Sequence, residues 1–145
     1  MEMRTLRESL LDDFGSQTKD LRKIQIKEWL EKNNEYITTG LKINPDGTID
    51  IDVFKYAGKG NFPDFIQFNK CNKYFVVARC GMTSLRGCPR KVRGYFSCTD
   101  NPLTSLKGCP EEIGGSFFCY DTYISEKEKH WAEKNIKCKK FEWIC

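Results

Sequence analysis

Eight cysteines and one histidine are the residues of this 145-residue chain that could act as nucleophiles or metal ligands. Four of the cysteines recur in TSLRGCPRKVRGYFSCTDNPLTSLKGCPEEIGGSFFCYD, which runs from Thr83 to Asp121 and contains one pattern twice. They are Cys88, Cys98, Cys109 and Cys119. No Cys-x-x-Cys pair occurs, whereas zinc sites use such short ligand spacings. The spacing favours stacked, buried thiols over disulfides or a metal site, and we expect no cofactor.

Catalysis by a thiol or by the histidine is not indicated. A nucleophilic Cys98 or Cys119 would have to face outward with a lowered pKa, whereas the repeat directs both inward, where thiols are inert. His130 has no serine or cysteine partner in a recognisable local motif, so a surface or cap position is the simpler interpretation. The sequence has no phosphate-binding loop, dinucleotide fingerprint or zinc-protease motif. We expect no enzyme, and a thiol enzyme is the weaker alternative.

A repeat of 21 residues organises the middle of the chain. The equivalent positions are Phe75, Phe96 and Phe117; Val77, Cys98 and Cys119; Met82, Leu103 and Ile124; Leu85 and Leu106; and Gly94 and Gly115. A fixed period of this length is typical of solenoids, whose coils cover each other's apolar faces. In YFSCTDNPLTSL, Phe96 and Cys98 point to one side of a short strand and Asn101 turns the chain. The pattern is that of a leucine-rich repeat, with Cys80 at the position equivalent to Asn101.

The segments before and after the repeats predict caps. RTLRESLLDDF and DLRKIQIKEWLEKNN predict N-terminal helices. Their apolar stripes are Leu6, Leu10, Leu11 and Phe14 in the first and Leu21, Ile24 and Trp29 in the second. YITTGLKINPDGTIDIDV predicts two strands around a Pro-Asp-Gly turn, with Ile49, Ile51 and Val53 on one face of the second. Ser125 and Glu128 predict a capping box that begins a short helix through Trp131, followed by an extended KCKKFEWIC.

These elements predict an α+β fold within one globular unit. Its centre is a short leucine-rich-repeat-like β-solenoid with a 21-residue repeat, flanked by N-terminal helices and a C-terminal helix/strand cap. The expected ranges are 1–47 for the helical leader and cap, 48–125 for the solenoid and 126–145 for the C-terminal cap. A partial earlier coil, NFPDFIQFNKCNKYF, places Phe62, Phe65, Phe68 and Cys71 near the positions of later leucines and valine, one residue short.

The outward side of the predicted strands is the candidate binding surface. Its residues are Tyr74, Val76, Tyr95, Ser97, Thr99, Phe118 and Tyr120, with Ala78 and Ser116 beside them. Four exposed aromatic rings on one sheet face are more than a solvated surface requires, and protein interfaces are rich in tyrosine. The alternative is that a cap folds back over this face through Trp29 or Trp143.

The repeat resembles a known group of proteins. Phe-x-Cys, Asn-x-Leu-Thr-Ser-Leu-x-Gly-Cys-Pro and a closing Gly-Gly, preceded by IKEWLEKNN and INPDGTIDIDV, are similar to short leucine-rich-repeat-like proteins of tailed bacteriophages and prophages. The resemblance covers roughly residues 24–121. It implies the fold and a phage origin but no activity, since members mostly have no assigned function. LRESLL also resembles short leaders of other phage proteins, as a docking or packaging tag or as a helix that packs on the first coil.

The charge pattern does not favour nucleic acid as the partner. The net charge of +4 is mild. Basic residues cluster at Arg79, Arg86, Arg90, Lys91 and Arg93. A shift of 21 places acidic residues opposite three of them, giving the expected pairs Arg79 with Asp100, Arg90 with Glu111, and Lys91 with Glu112. Arg86 is expected to stack with Lys107 and to lack an acidic partner.

The expected function is therefore a non-catalytic protein-binding module, and under the resemblance a phage accessory protein that binds a host or phage protein. Counter-defence or host takeover is the expected setting, and a structural or packaged virion component is the alternative. Residues 1–20 are not a secretory signal and no membrane span occurs, so we expect the host cytoplasm or the virion. A homodimer through the strand edge 117–120 stays open.

Overall fold

The computed structural model describes the backbone of residues 6–143 and the side chains of residues 20–143. This part of the chain is α+β, with two helices and an open, mixed nine-stranded sheet. The elements in chain order are α1 Leu6–Asn33, β1 Lys42–Ile43, β2 Ile49–Ile51, β3 Phe54–Lys55, β4 Phe68–Cys71, β5 Phe75–Val76, β6 Lys91–Val92, β7 Phe96–Ser97, β8 Glu112–Phe118, α2 Glu126–Asn135 and β9 Lys137–Glu142. Neither helix has the length and apolar character needed to cross a membrane.

The parallel strands form two ladders that share β8. One ladder runs β2–β4–β6–β8 and the other β3–β5–β7–β8. In the second, Phe54, Phe75, Phe96 and Phe117 are successive partners, each 21 residues after the last. The sequence predicted this ladder but missed the strands β4 and β6 of the other. Because β6 has only two residues, one of them buried, it shows no alternation to recognise.

The core consists of side chains stacked along these ladders. Ring centroids lie 4.9 Å apart for Phe54 and Phe75, 5.9 Å for Phe75 and Phe96, and 5.3 Å for Phe96 and Phe117. The predicted inward positions are buried, including Val77, Cys98, Cys119, Met82, Leu103, Leu85 and Leu106. Each buried phenylalanine contributes roughly 1.5–3 kcal/mol through removal of apolar area from water. The inward assignment from the 21-residue shift is therefore confirmed.

Close approach of adjacent ladder strands explains the glycine in YFSC-type copies. A Cβ on Gly94 would lie 1.9 Å from the carbonyl oxygen of Lys73, one rung away. Gly114 meets the equivalent oxygen of Arg93 at 2.1 Å. Only hydrogen at Cα lets the backbone pass at this distance.

The N-terminal region is one helix where the sequence predicted two. α1 continues through Gly15 and Thr18 to Asn33. The predicted stripe of Leu21 and Ile24 is wrong, because these side chains are 65% and 51% exposed. The helix packs on the core through Ile26, Trp29 and Leu30, whose spacing of three and four residues places them on one face. The side chains of the earlier stripe, Leu6 to Phe14, lie outside the described residues.

The strands predicted around Pro45-Asp46-Gly47 are confirmed as the antiparallel pair β1 and β2. Gly47 has φ +87°, and the Asp46 carboxylate accepts a hydrogen bond from the Thr48 N–H at 3.0 Å. Ile49 and Ile51 are buried as expected. Val53 does not share their face, since β2 ends at Ile51 and the chain bends before Phe54.

The C-terminal cap covers the last repeat. Ser125 accepts a hydrogen bond from the Glu128 N–H at 3.2 Å, as the capping box predicts, but α2 continues past Trp131 to Asn135. β9 then pairs in parallel with β8, and Phe141 packs on Phe117. The edge 117–120 that was expected to be open to a second copy is therefore occupied within the chain. Lysines at 137, 139 and 140 line the new edge strand and oppose further strand pairing.

Candidate functional site

The outward face of β5, β7 and β8 forms a cavity of about 780 Å³, here called the aromatic groove. Its lining residues are Glu35, Lys55, Tyr56, Ala57, Gly58, Lys59, Val76, Ala78, Arg79, Cys80, Tyr95, Ser97, Thr99, Phe118 and Tyr120. Six of the seven predicted binding residues belong to this set. The seventh, Tyr74, stands behind Tyr95 and stacks on it.

A row of aromatic rings forms one wall of the groove. Tyr74 and Tyr95 lie parallel with centroids 5.0 Å apart and planes 1° apart. Phe118 meets Tyr95 edge-on at 5.7 Å and Tyr120 at 6.1 Å. Because the rings pack on one another, only Tyr95 is fully classed as exposed, at 37%, and the other three are half-buried. The expectation of four exposed rings is corrected to a continuous, mutually supported wall.

The floor of the groove is made of small side chains. Val76 and Ala78 on one rung are followed by Ser97 and Thr99 on the next. Ser97 is only 9% exposed, so its predicted outward position is in fact buried between larger neighbours. Its hydroxyl donates to the Thr99 hydroxyl at 3.3 Å, which in turn accepts the Tyr120 N–H at 3.3 Å. The floor is thus polar but internally hydrogen-bonded.

One end of the groove is formed by residues that the repeat did not identify. Glu35 and Lys55 form an ion pair at 3.0 Å, and the bond from Glu35 raises the pKa of Lys55. Tyr36 packs edge-on against Tyr74 at 5.9 Å and extends the wall. Lys55 lies 21 residues before Val76 and could have been found by the same shift. Glu35 and Tyr36 follow α1, outside the repeat.

The other end of the groove is fixed by a hydrogen-bond network. The Tyr120 hydroxyl donates to the Glu142 carboxylate at 2.8 Å, and Lys140 pairs with the same carboxylate at 2.8 Å. The bonds from Lys140 and then Tyr120 lower the pKa of Glu142. The bond to Glu142 raises the pKa of Tyr120. β9 therefore holds the Tyr120 ring in place at this end.

Neither tryptophan covers the aromatic groove. Trp29 packs on Phe54 at 5.9 Å and on Phe62 at 5.4 Å, both core residues. Trp143 packs on Phe117 at 5.4 Å, on the inward side of β8. The alternative that one of these side chains closes the surface is wrong, and the groove is open within the described part of the chain.

The recurring cysteines are inward-facing thiols, as the repeat predicts. Burial raises the pKa of Cys88 and of Cys98, and raises that of Cys109 to about 12. Cys109 departs from the expectation in being only half-buried. Cys98 and Cys119 stack with their sulfurs 3.5 Å apart. In residues 20–143, no three His, Cys, Asp or Glu side chains lie where they could hold a metal ion.

The remaining ionic groups are neutralised locally. The three predicted cross-rung pairs form, with nitrogen–oxygen distances of 3.5 Å for Arg79–Asp100, 3.7 Å for Arg90–Glu111 and 3.4 Å for Lys91–Glu112. Arg86 was expected to lack an acidic partner and instead pairs with Asp64 at 3.1 Å. The one-residue shortfall of the earlier coil moves Asp64 to this position, which a strict 21-residue shift does not reach.

A second cavity, of about 640 Å³, lies between the two Gly-Cys-Pro loops and α2. Trp131 is its one aromatic lining residue. Glu128 enters the same region but accepts a hydrogen bond from the Leu106 N–H at 3.0 Å, so it serves to attach α2 to the repeat. His130 is exposed on the same helix. The aromatic groove offers the richer binding surface.

Comparison of the chain with protein-family models, with curated proteins and with solved structures found no match. Functional inference therefore depends on the geometry and chemistry of the chain's own residues.

Proposed function

We propose that the chain is a short leucine-rich-repeat-like solenoid that acts as a non-catalytic protein-binding module, with the aromatic groove as its binding surface. The observation that carries the proposal is the continuous wall of Tyr74, Tyr95, Phe118 and Tyr120 beside an open cavity. Four in-register partners spaced by 21 residues support the solenoid.

The chemistry of the groove suits a protein partner. Tyrosine presents a large ring with little conformational freedom and a polar tip, which is why it dominates interface hot spots. Here the rings are already held by their neighbours, so binding costs little additional side-chain entropy. The buried thiols and the exposed His130 provide no arrangement of nucleophile and base, which supports a non-catalytic role.

The proposed setting is a phage accessory protein that binds a host or phage protein in the host cytoplasm. It is supported by the resemblance of the repeat and its leader to phage proteins. A structural or packaged virion component is the second candidate, favoured by the rigid repeat and the leader sequence. Mass spectrometry of purified particles separates the two, because an accessory protein is absent from particles and a virion component is present in stoichiometric amounts.

The test of the binding surface is a pair of substitutions with a matched control. The double variant Tyr95→Ser, Phe118→Ser removes the centre of the wall, whereas Tyr123→Ser removes a ring that is 73% exposed and outside the groove. Loss of interface hot spots worth about 2 kcal/mol or more weakens binding roughly 30-fold. We expect the wild type and Tyr123→Ser to retain the same partner from host lysate, and the double variant to lose it.

Thermal unfolding of all three proteins accompanies the capture experiment. The altered side chains lie at the surface or are half-buried, so the double variant should stay folded. A folded double variant that still captures the partner would refute the assignment of this surface.

A further inference from the structure

Cys98 and Cys119 are the two thiols of the described chain that touch each other. The Cys98 S–H donates to the Cys119 sulfur at 3.5 Å. Both follow partner strands, since Ser97 of β7 and Phe118 of β8 are in register. Neighbouring strands lie about 4.8 Å apart, within the roughly 4.4–6.8 Å that a disulfide allows between Cα atoms. The pair can therefore be bridged without a large backbone movement.

The two sulfurs have different surroundings. The donated hydrogen bond from Cys98, then Thr122 at 3.5 Å and the charge of Lys129, lower the pKa of Cys119. Burial raises the pKa of Cys98. Cys119 is thus the better nucleophile and Cys98 the thiol placed to react second.

Access to the pair is controlled by one edge strand. Cys98 and Cys119 are 0% and 1% exposed. The Cys119 N–H is bonded to the Glu142 carbonyl of β9 at 2.9 Å. Edge strands open locally at lower free-energy cost than the core, so transient release of β9 would admit a small oxidant.

We propose that Cys98 and Cys119 are a dithiol site that a peroxide oxidises reversibly to a disulfide between adjacent rungs. The Cys119 thiolate attacks one peroxide oxygen, the O–O bond breaks, and hydroxide leaves and takes up a proton as water. The resulting sulfenic acid is attacked by the Cys98 sulfur, the S–S bond forms, and the sulfenic oxygen leaves as a second water. Two thiols and hydrogen peroxide thus give one disulfide and two waters, and a dithiol reductant restores the thiols.

The disulfide would fasten the last repeat to the one before it. Its sulfurs lie directly after Ser97 and Phe118, beneath the aromatic groove. Closing a loop of 21 residues restricts the unfolded chain, so oxidation is expected to raise the Tm by roughly 5–10 °C. The proposal does not depend on the binding function.

The experiment treats the full-length protein with hydrogen peroxide, blocks free thiols and maps disulfides without reduction. Trypsin separates Cys98 from Cys119 by cutting after Lys107, and fragmentation then distinguishes Cys119 from Cys109 in the linked peptide. We expect a Cys98–Cys119 disulfide to be the first oxidation product in the wild type and in the control Cys88→Ser. The Tm increase should disappear on addition of a dithiol reductant.

The wild-type map alone decides the proposal, even if Cys98→Ser or Cys119→Ser fails to fold. A map in which both thiols stay reduced while the half-buried Cys138 is oxidised would overturn it. A linkage of either thiol to another cysteine would overturn it equally.

Discussion

Replacement of Asn101 by alanine tests how the rungs are held together. This side chain is 2% exposed and lies between two turns of the chain. Its carbonyl oxygen accepts the N–H of Cys80 at 3.0 Å and that of Met82 at 3.1 Å. Its amide donates to the carbonyls of Val77 at 2.7 Å and Cys98 at 2.9 Å. Asn101→Ala therefore leaves buried backbone groups on two rungs without partners.

The cost follows from the two orphaned N–H groups. Each unsatisfied buried donor costs about 1–3 kcal/mol, so Asn101→Ala is expected to lower the free energy of unfolding by about 2–6 kcal/mol. At roughly 2–4 °C per kcal/mol for a chain of this size, the Tm falls by about 4–24 °C. Urea unfolding in reducing buffer measures the change, with an unchanged m-value showing that the two-state comparison is valid.

Asn61→Ala is the matched control. Its carbonyl also accepts two backbone N–H groups, from Thr83 at 2.9 Å and Ser84 at 3.1 Å, but the residue is exposed. Water replaces it there, and we expect a loss below about 1 kcal/mol. Equal losses for the two variants would refute the argument that buried cross-rung hydrogen bonds hold the stack.

Two further predictions concern the backbone contacts and the thiols. Gly94→Ala forces a Cβ against the Lys73 carbonyl and should cost about 3 kcal/mol in urea unfolding, whereas Gly81→Ala, which has open space and only a positive φ, should cost about 1 kcal/mol. Burial raises the pKa of Cys71 from 9.0 to about 12, so the folded protein keeps a proton that the unfolded chain loses. Its contribution to stability is complete below pH 9.0 and declines as the pH rises toward 12. Cys71→Val, which copies the in-register Val92, should make the urea midpoint fall less between these pH values.

Gly94→Ala with wild-type stability would show that the rungs are farther apart than the strand ladders indicate. An unchanged pH slope in Cys71→Val would show that this thiol is accessible to solvent in the folded protein.

The ladder of Phe75, Phe96 and Phe117 could be predicted because a rung repeats the same contacts and so the same residue types. The ladder of β4 and β6 could not, since strands with one buried side chain carry no periodic signal. The helix stripe failed for a related reason. Leu21, Ile24, Ile26 and Leu30 are all apolar, and the choice between them depends on which core surface α1 meets.

The groove was predictable where strand alternation determines it. Alternation placed Val76, Tyr95 and Phe118 on the outward side, but it did not show that Ser97 would be buried between larger neighbours. Glu35 and Tyr36 come from the segment after α1, which carries no repeat to compare. Tertiary contacts alone bring them to the groove.

Site-specific photo-cross-linking tests the assignment of the aromatic groove most directly. A benzophenone side chain is placed at position 95, in the wall, or at position 123, outside the groove, and each protein is irradiated in host cells. Binding at the groove predicts a covalent adduct of one mass from position 95 and none from position 123. An adduct from position 123 with none from position 95 would contradict it.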